Sequence, residues 1–190
     1  MSLETYKQKR KFDKTPEPKG TVHAGAKKLA FVVQKHRATQ LHYDFRLEVG
    51  GVLKSWAVPK GPVMDPAVRH MAIMVEDHPY EYRTFEGVIP NGNYGAGEVI
   101  VWDEGWYEPY MVKGYTERDM IKGLKAGHIT FILHGKKLKG EFALVRLQRA
   151  GPKAWLFLKA DDDYALKSDI TKKDRSVRSG KKLEDLKHHE

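Results

Sequence analysis

Two imidazoles, a carboxylate and a guanidinium fall within eleven positions of this chain, as His36, His42, Asp44 and Arg46. From His42 the residues alternate, with His42, Asp44, Arg46 and Glu48 set against Tyr43, Phe45 and Leu47. A period of two marks a strand with one buried face. His42, Asp44 and Arg46 then point the same way, with neighbours about 6.6 Å apart. Two such side chains can chelate one ion, and His36, reached through a short loop, offers a third ligand. Arg46 stands one step further on, where it could hold a phosphate. A lone His or Asp on a strand is usually a solvated surface residue, but the whole pattern points to a metal-dependent phosphate site. Two imidazoles and a carboxylate suit zinc, manganese or iron(II) better than calcium or magnesium. Spacing does not choose among the three.

The elements that must position these groups are short and β-rich. Strand-like runs occur at Leu29–Gln34, Leu41–Glu48, Leu53–Val58, His70–Val75, Gly97–Trp102, His128–Leu133, Glu141–Leu147 and Ala154–Lys159. Turn signals such as Gly50-Gly51, Asn91-Gly92 and Gly151-Pro152 separate them. Strands at this spacing predict a sandwich or barrel rather than βαβ units. The expected class is all-β dominated with minor α, a compact β-barrel with one short helix at Glu117–Ala126, Thr116 as its N-cap and Gly127 ending it. Residues 1–20 form an arm whose two prolines favour an extended path. Residues 21–160 are the barrel domain. Residues 161–190, highly charged and poor in apolar side chains, predict a flexible tail with a short helix near Leu183–Leu186.

Composition narrows the chemistry. The 190 residues include no cysteine, so disulfides and thiolate metal sites are excluded. No apolar run reaches the roughly 20 residues of a membrane span, and residues 1–14 lack the apolar stretch of a secretory signal. The expectation is a soluble cytoplasmic protein with no membrane association. The formal charge is +9, with six basic and three acidic residues in 1–20 and eight of each in 161–190, leaving +6 on residues 21–160. A basic body suits a polyanion such as nucleic acid.

Chemistry could also sit elsewhere. In the Glu76–Tyr82 segment, His78 offers an acid or a phosphate donor and Tyr82 a hydroxyl, where a strand gives way to a loop. Alternatively, the aromatics there merely cover a barrel end. The glycine-rich 87–97 stretch is not a P-loop, because no Gly-Lys-Ser/Thr follows, and it reads as a tight backbone path. Lys54, Lys60 and Arg69 could line a nucleic-acid groove or be surface charges. Trp102, Trp106 and Trp155 read as core or rim aromatics. His128 and His134 read as strand boundaries, and His188 and His189 as tail residues. No serine sits in a nucleophile elbow.

The assembled motifs resemble a known family. They are Thr15-Pro16-Glu17-Pro18, Gln34-Lys35-His36, the run Leu41 to Glu48, Lys54 to Pro62, Glu76-Asp77-His78-Pro79, Phe85-Glu86-Gly87, Tyr94-Gly95-Ala96-Gly97 and Val99 to Asp103. Together they are similar to the 3′-phosphoesterase domain of DNA ligase D, the multidomain enzyme of bacterial non-homologous end joining, over about residues 7–160. The resemblance is to free-standing members without polymerase or ligase modules. It implies a manganese-dependent hydrolase, with cobalt or zinc as possible substitutes, that heals DNA or DNA-RNA 3′ ends on a primer-template. A phosphodiesterase step would remove a terminal ribonucleoside, and a phosphomonoesterase step would then leave a 3′-OH.

Carried onto this chain, the resemblance implies that His36, His42 and Asp44 hold the metal. Arg46, His78 and Tyr82 would engage the scissile phosphate, Arg10 and Glu17 would contribute from the arm, and Gln34 and Lys60 would support substrate binding. A separate DNA ligase and an end-joining polymerase would be its partners. Two departures stand out, Lys11 where an acidic residue is expected and His70 where arginine is expected, both near implied phosphate contacts. They put in doubt the balance of the two steps. Residues 175–186 resemble the linker toward a ligase module, a relic or a docking segment. The competing functions are a non-catalytic DNA-end-binding module that recruits a ligase, and a zinc hydrolase acting on RNA or cyclic phosphates.

Overall fold

Alternate residues of each long strand turn inward and fill a common interior with Phe31, Phe45, Trp56, Phe131, Phe142, Trp155 and Phe157, all at 1% exposure or less. A computed structural model describes residues 2–23, 28–110 and 116–186. Nine strands are present there: β1 Leu29–Arg37, β2 Leu41–Val49, β3 Val52–Val58, β4 Arg69–Met74, β5 Gly87–Ile89, β6 Gly97–Pro109, β7 His128–Gly135, β8 Lys139–Arg146 and β9 Ala154–Lys159. The hydrogen-bonded order runs β1-β2-β3-β4-β9-β8-β7-β6, and β6 returns to β1. Every pairing is antiparallel, so eight strands close a barrel and β5 adds to the outside of β6. The predicted β-barrel is therefore observed. Closure leaves the eight ring strands without a free edge.

Local chemistry explains the connections. Gly50 and Gly51 both take positive φ, 63° and 76°, which makes the tight β2–β3 hairpin available to them alone. Helix α2, Glu117–Ala126, has the expected bounds, with a Thr116–Asp119 capping box and Gly127 ending it in the left-handed region.

Four features depart from the sequence reading. β6 continues to Pro109 because a bulge opposite Val33/Gln34 gives it one extra residue, Trp102. Before the bulge Val99 and Val101 face outward; after it Tyr107 faces in. The three-residue β5 was too short to read as a strand. A helix, α1 Glu4–Gln8, precedes the proline-rich part of the arm and buries Tyr6. Finally, residues 161–186 lie along the barrel. Ile170, Ser176 and Leu183 are buried, Trp102 Nε1 donates to the Lys173 carbonyl, and the Val177 amide donates to the Val101 carbonyl. A few well-spaced apolar residues and these hydrogen bonds anchor a segment that composition alone marks as a tail. The expected short helix is a 3-10 turn at Leu183–Asp185. His188 and His189 lie outside the described residues.

A second apolar layer covers the outer face of β1–β3 and β6. Tyr6 from the arm, Tyr82 and Phe85 from a 3-10 turn region at Tyr80–Thr84, and Ile89 pack there on Val32, Leu53, Val99 and Val101. The site lies between this layer and the barrel wall.

Candidate active site

Strand register assembles the ligands before any long-range contact is needed. His36 pairs directly with His42, and Gln34 with Asp44, across β1 and β2. On the other side Asp44 pairs with Ala57, and Arg46 with Ser55, across β3. All the polar members point outward. The alternation predicted for β2 is present, but its polar face is covered as well: Asp44 is 8% exposed and Arg46 2%. The arm and the 3-10 turn provide that cover.

One ligand atom each from His36, His42 and Asp44 can be chosen so that all three lie within 4.8 Å of one another. His36 Nε2 is 2.9 Å from the Gly95 carbonyl, and His42 Nδ1 is 3.0 Å from the Gln40 carbonyl. A carbonyl only accepts, so these nitrogens carry the protons. His36 Nδ1 and His42 Nε2 remain as lone pairs, each 3.5 Å from an Asp44 oxygen. Backbone carbonyls that fix ligand tautomers in this way are the usual outer support of a metal centre. Burial pushes the Asp44 carboxyl up, but the charges around it, the Arg46 guanidinium first, outweigh it and hold it well below the usual range. The donor set and its geometry fit a divalent transition metal.

Arg46 is fixed beside these ligands. Its Nε donates to Gln34 Oε1 at 2.8 Å, Nη1 to Ser55 Oγ at 2.8 Å and Nη2 to Asp44 Oδ2 at 3.1 Å. Gln34 Nε2 in turn donates to the Tyr82 and Phe85 carbonyls, which ties the 3-10 turn to the barrel. His78 Nδ1 donates to the Glu76 carbonyl at 2.9 Å, and its Nε2 accepts from Arg10 Nη2 at 3.1 Å. Burial, then Arg46 and Arg10, hold the His78 imidazole well below its ordinary pKa, so it is neutral.

The arm completes the far wall. Glu17 Oε1 accepts from Arg10 Nε at 2.8 Å and from the Tyr82 hydroxyl at 2.9 Å. Burial, then the Glu17 charge, push the Tyr82 hydroxyl well above its usual range. Arg10 also reaches Glu76 and stacks 3.9 Å from the Tyr6 ring centre.

These groups line one cavity of about 300 Å³, whose walls include Arg10, His36, His42, Asp44, Arg46, His78 and Tyr82. Glu17 and Gln34 stand behind them as partners. Lys60 is not part of this set: it is exposed, and with His70 it lines a second cavity that shares no residue with the first. His70 Nδ1 donates to the Gly61 carbonyl there. Lys11 is exposed beside Arg10. Lys54 pairs with Asp77 at 2.7 Å.

Three contributors escaped the sequence reading. Ser55 lies in a run that reads only as a strand. Gly95 acts through its carbonyl, which side-chain chemistry cannot reveal. Glu76 acts as an anchor for Lys9 and Arg10; it stood in one of the family-like motifs but without a role of its own.

Comparison with known proteins gives the family. The family profile of the DNA ligase D 3′-phosphoesterase domain matches residues 34–146. The multifunctional non-homologous end joining protein LigD of Pseudomonas aeruginosa is 49% identical over 170 residues, 88% of this chain and 19% of that protein. Its counterpart in Mycobacterium tuberculosis is 46% identical over 145 residues, 76% of this chain and 18% of that protein. That of Mycolicibacterium smegmatis is 42% identical over 155 residues, 81% and 20%. The chain thus spans about a fifth of the length of these relatives.

Proposed function

This chain belongs to the DNA ligase D 3′-phosphoesterase family, and from that footing we propose a metal-dependent phosphoesterase acting on DNA or DNA-RNA 3′ ends, supplying 3′-OH termini for ligation in end joining. The observation that carries the reading is the co-location in one cavity of two tautomer-fixed histidines and Asp44 with a buried Arg46 whose three nitrogens are each hydrogen-bonded. Manganese is the proposed ion. Held by His36, His42 and Asp44, it would supply electrophilic charge against the phosphoryl oxygens.

The remaining roles follow from this chain's own groups. Arg46 is pre-oriented by Gln34, Ser55 and Asp44, so it offers positive charge to the phosphoryl group without reorganising. His78 is neutral and receives a hydrogen bond from Arg10. A phosphate entering between Arg10 and Arg46 offsets the two charges that depress His78, and the imidazole then takes up a proton and donates it in a hydrogen bond to the phosphate or departing oxygen. Tyr82, kept protonated, donates from the same wall once Glu17 yields it. Arg10 and Glu17 make the arm part of the site. Lys60 is placed at the neighbouring cavity, a position suited to substrate beyond the reacting phosphate. A separate ligase and polymerase would act on the healed end.

The test is a labelled primer-template ending in one ribonucleotide, incubated with manganese beside His42→Ala and a chelated sample. Stepwise loss of the terminal nucleoside and then of phosphate, absent from both controls, is the expected result. Salt-sensitive binding without cleavage, indifferent to chelation and to His42→Ala, would instead leave a DNA-end adaptor.

A further inference from the structure

A second basic cavity, of about 340 Å³, opens on the same outer wall as the metal pocket, on the far side of the Tyr80–Thr84 turn. It is lined by Ala30, Phe31, Arg83, Glu104, Gly105, Lys136 and Arg178. Three cations surround one carboxylate there. Glu104 pairs with Arg178 at 2.8 Å and with Lys136 at 3.5 Å. Arg83 has no such partner: among the described residues its side chain makes no hydrogen bond or ion pair, and its Nε is buried and unsatisfied, as is Oε1 of Glu48, whose carboxylate feels the Arg83 charge without bonding to it. Its guanidinium lies 4.7 Å from the Tyr80 ring centre, a contact that leaves its donors unused. Burial pushes the Glu48 carboxyl behind it up, with Arg83 among the charges pulling the other way. A buried guanidinium nitrogen without an acceptor is costly to leave unmade, and an oxyanion is the group that satisfies it, in the planar fork geometry Arg favours.

We infer that Arg83, Lys136 and Arg178 form a cradle for a backbone phosphate of the same nucleic acid whose 3′ end enters the metal pocket. The inference rests on the phosphoesterase reading for its ligand and goes beyond it by fixing a second contact. β1 supplies the scale. Ala30 at the cradle and His36 at the metal pocket are six residues apart, about 20 Å along the strand. That span corresponds to about six steps of a duplex at 3.4 Å each. A substrate of that length or more reaches both sites, and a shorter one reaches only the first. Arg178 comes from the segment after β9, so the charged C-terminal region takes part in binding through its seat on the barrel, where Lys136 Nζ also donates to the Val177 carbonyl.

The experiment measures binding of 3′-phosphate primer-templates of about 20 and about 4 base pairs, lengths above and below that reach, the short one closed by a non-nucleotide linker so that it stays paired, across a salt series. Arg83→Gln/Lys136→Gln/Arg178→Gln should weaken the long duplex on the order of ten-fold and lower the slope of log K against log salt by about 0.9 for each phosphate no longer neutralised. The short duplex should bind as it does to the unaltered protein. The exposed pair Lys136→Gln/Arg178→Gln repeats the test without touching half-buried Arg83. Arg149→Gln/Lys153→Gln, which removes two charges elsewhere, should cost less. Unchanged long-duplex affinity and slope would overturn the inference. So would equal losses on both lengths, or an equal loss in the Arg149/Lys153 control. Turnover of a mononucleoside 3′-phosphate, run alongside, reports on the phosphoesterase reading separately: its absence from every protein would sink that reading while the binding series still decides the cradle.

Discussion

From Tyr43 onward both faces of β2 are buried, and they are held by opposite physics. Inward, Tyr43, Phe45, Leu47 and Val49 pack among aromatic rings, Phe45 lying 4.9 Å from the Phe157 ring centre and 5.6 Å from that of Phe131. Outward, Asp44 and Arg46 sit in a hydrogen-bond network with Gln34 and Ser55, and the two histidines each bring a ring nitrogen to 3.5 Å from Asp44. Dispersion and area burial are non-directional and tolerate repacking. A buried charge network has no such slack, because removing one member leaves its partners desolvated and unpaired. The inner face therefore sets how stable the barrel is, and the outer face sets which geometry it presents.

That contrast can be broken at neighbouring positions. Arg46→Met should cost about 3–5 kcal/mol of stability, as expected when one partner of a buried pair is removed, and cut turnover at least a hundred-fold. Phe45→Ala should cost a similar 3–5 kcal/mol through the cavity it leaves, yet leave turnover per folded molecule unchanged. Urea titration beside rates measured in excess substrate separates the two, and equal activity losses would erase the distinction. Ser55→Ala strands Arg46 Nη1 and should cost about 1–3 kcal/mol, with a KM and kcat change that Ser55→Thr partly reverses.

The smallest effect is acid sensitivity. The folded pKa of His78 is depressed, so the unfolded chain takes up a proton first as pH falls through about 6.5. Stability from this group is thus fully present above that pH and is lost below it, by up to about 1.4 kcal/mol per pH unit. The difference between the unaltered protein and His78→Gln in urea midpoints at pH 7 and 5.5 isolates it. A difference that does not change with pH would mean the imidazole is not held neutral.

The same contrast explains what could be read from sequence. Period-two alternation at 41–48 reported the inner face directly, whereas the register of β1 against β2, which sets His36 opposite His42, and the extension of β1 to Arg37 came only from the structure. His36, His42 and Asp44 were legible because their side-chain types are rare in combination. Ser55 and Gly95 were not, since one looks like any strand serine and the other acts through its backbone. The burial of the polar face was hidden because Tyr6, Arg10 and Glu17, which cover it, come from far away in the chain. The resemblance gave Lys60 a part in substrate binding, and β3 ends at Val58 before it, which leaves Lys60 lining a separate cavity. The region after β9 misled because Ile170 and Leu183, its buried apolar anchors, are too few to alter its composition.

The reach of the arm has a kinetic meaning. Arg10 meets Glu76 across 66 positions and His78 across 68, and Tyr82 meets Glu17 across 65. The ring those contacts rest on closes only when β9 bridges β4 and β8. During synthesis the arm emerges before the strands that seat it, so it waits unattached until β9 has been made. Contacts of such separation are slow to form, because the loop entropy is lost before the contact energy is gained. The nascent protein can therefore hold a nearly complete barrel whose candidate site still lacks the wall supplied by Arg10 and Glu17, which arrives in a final docking step.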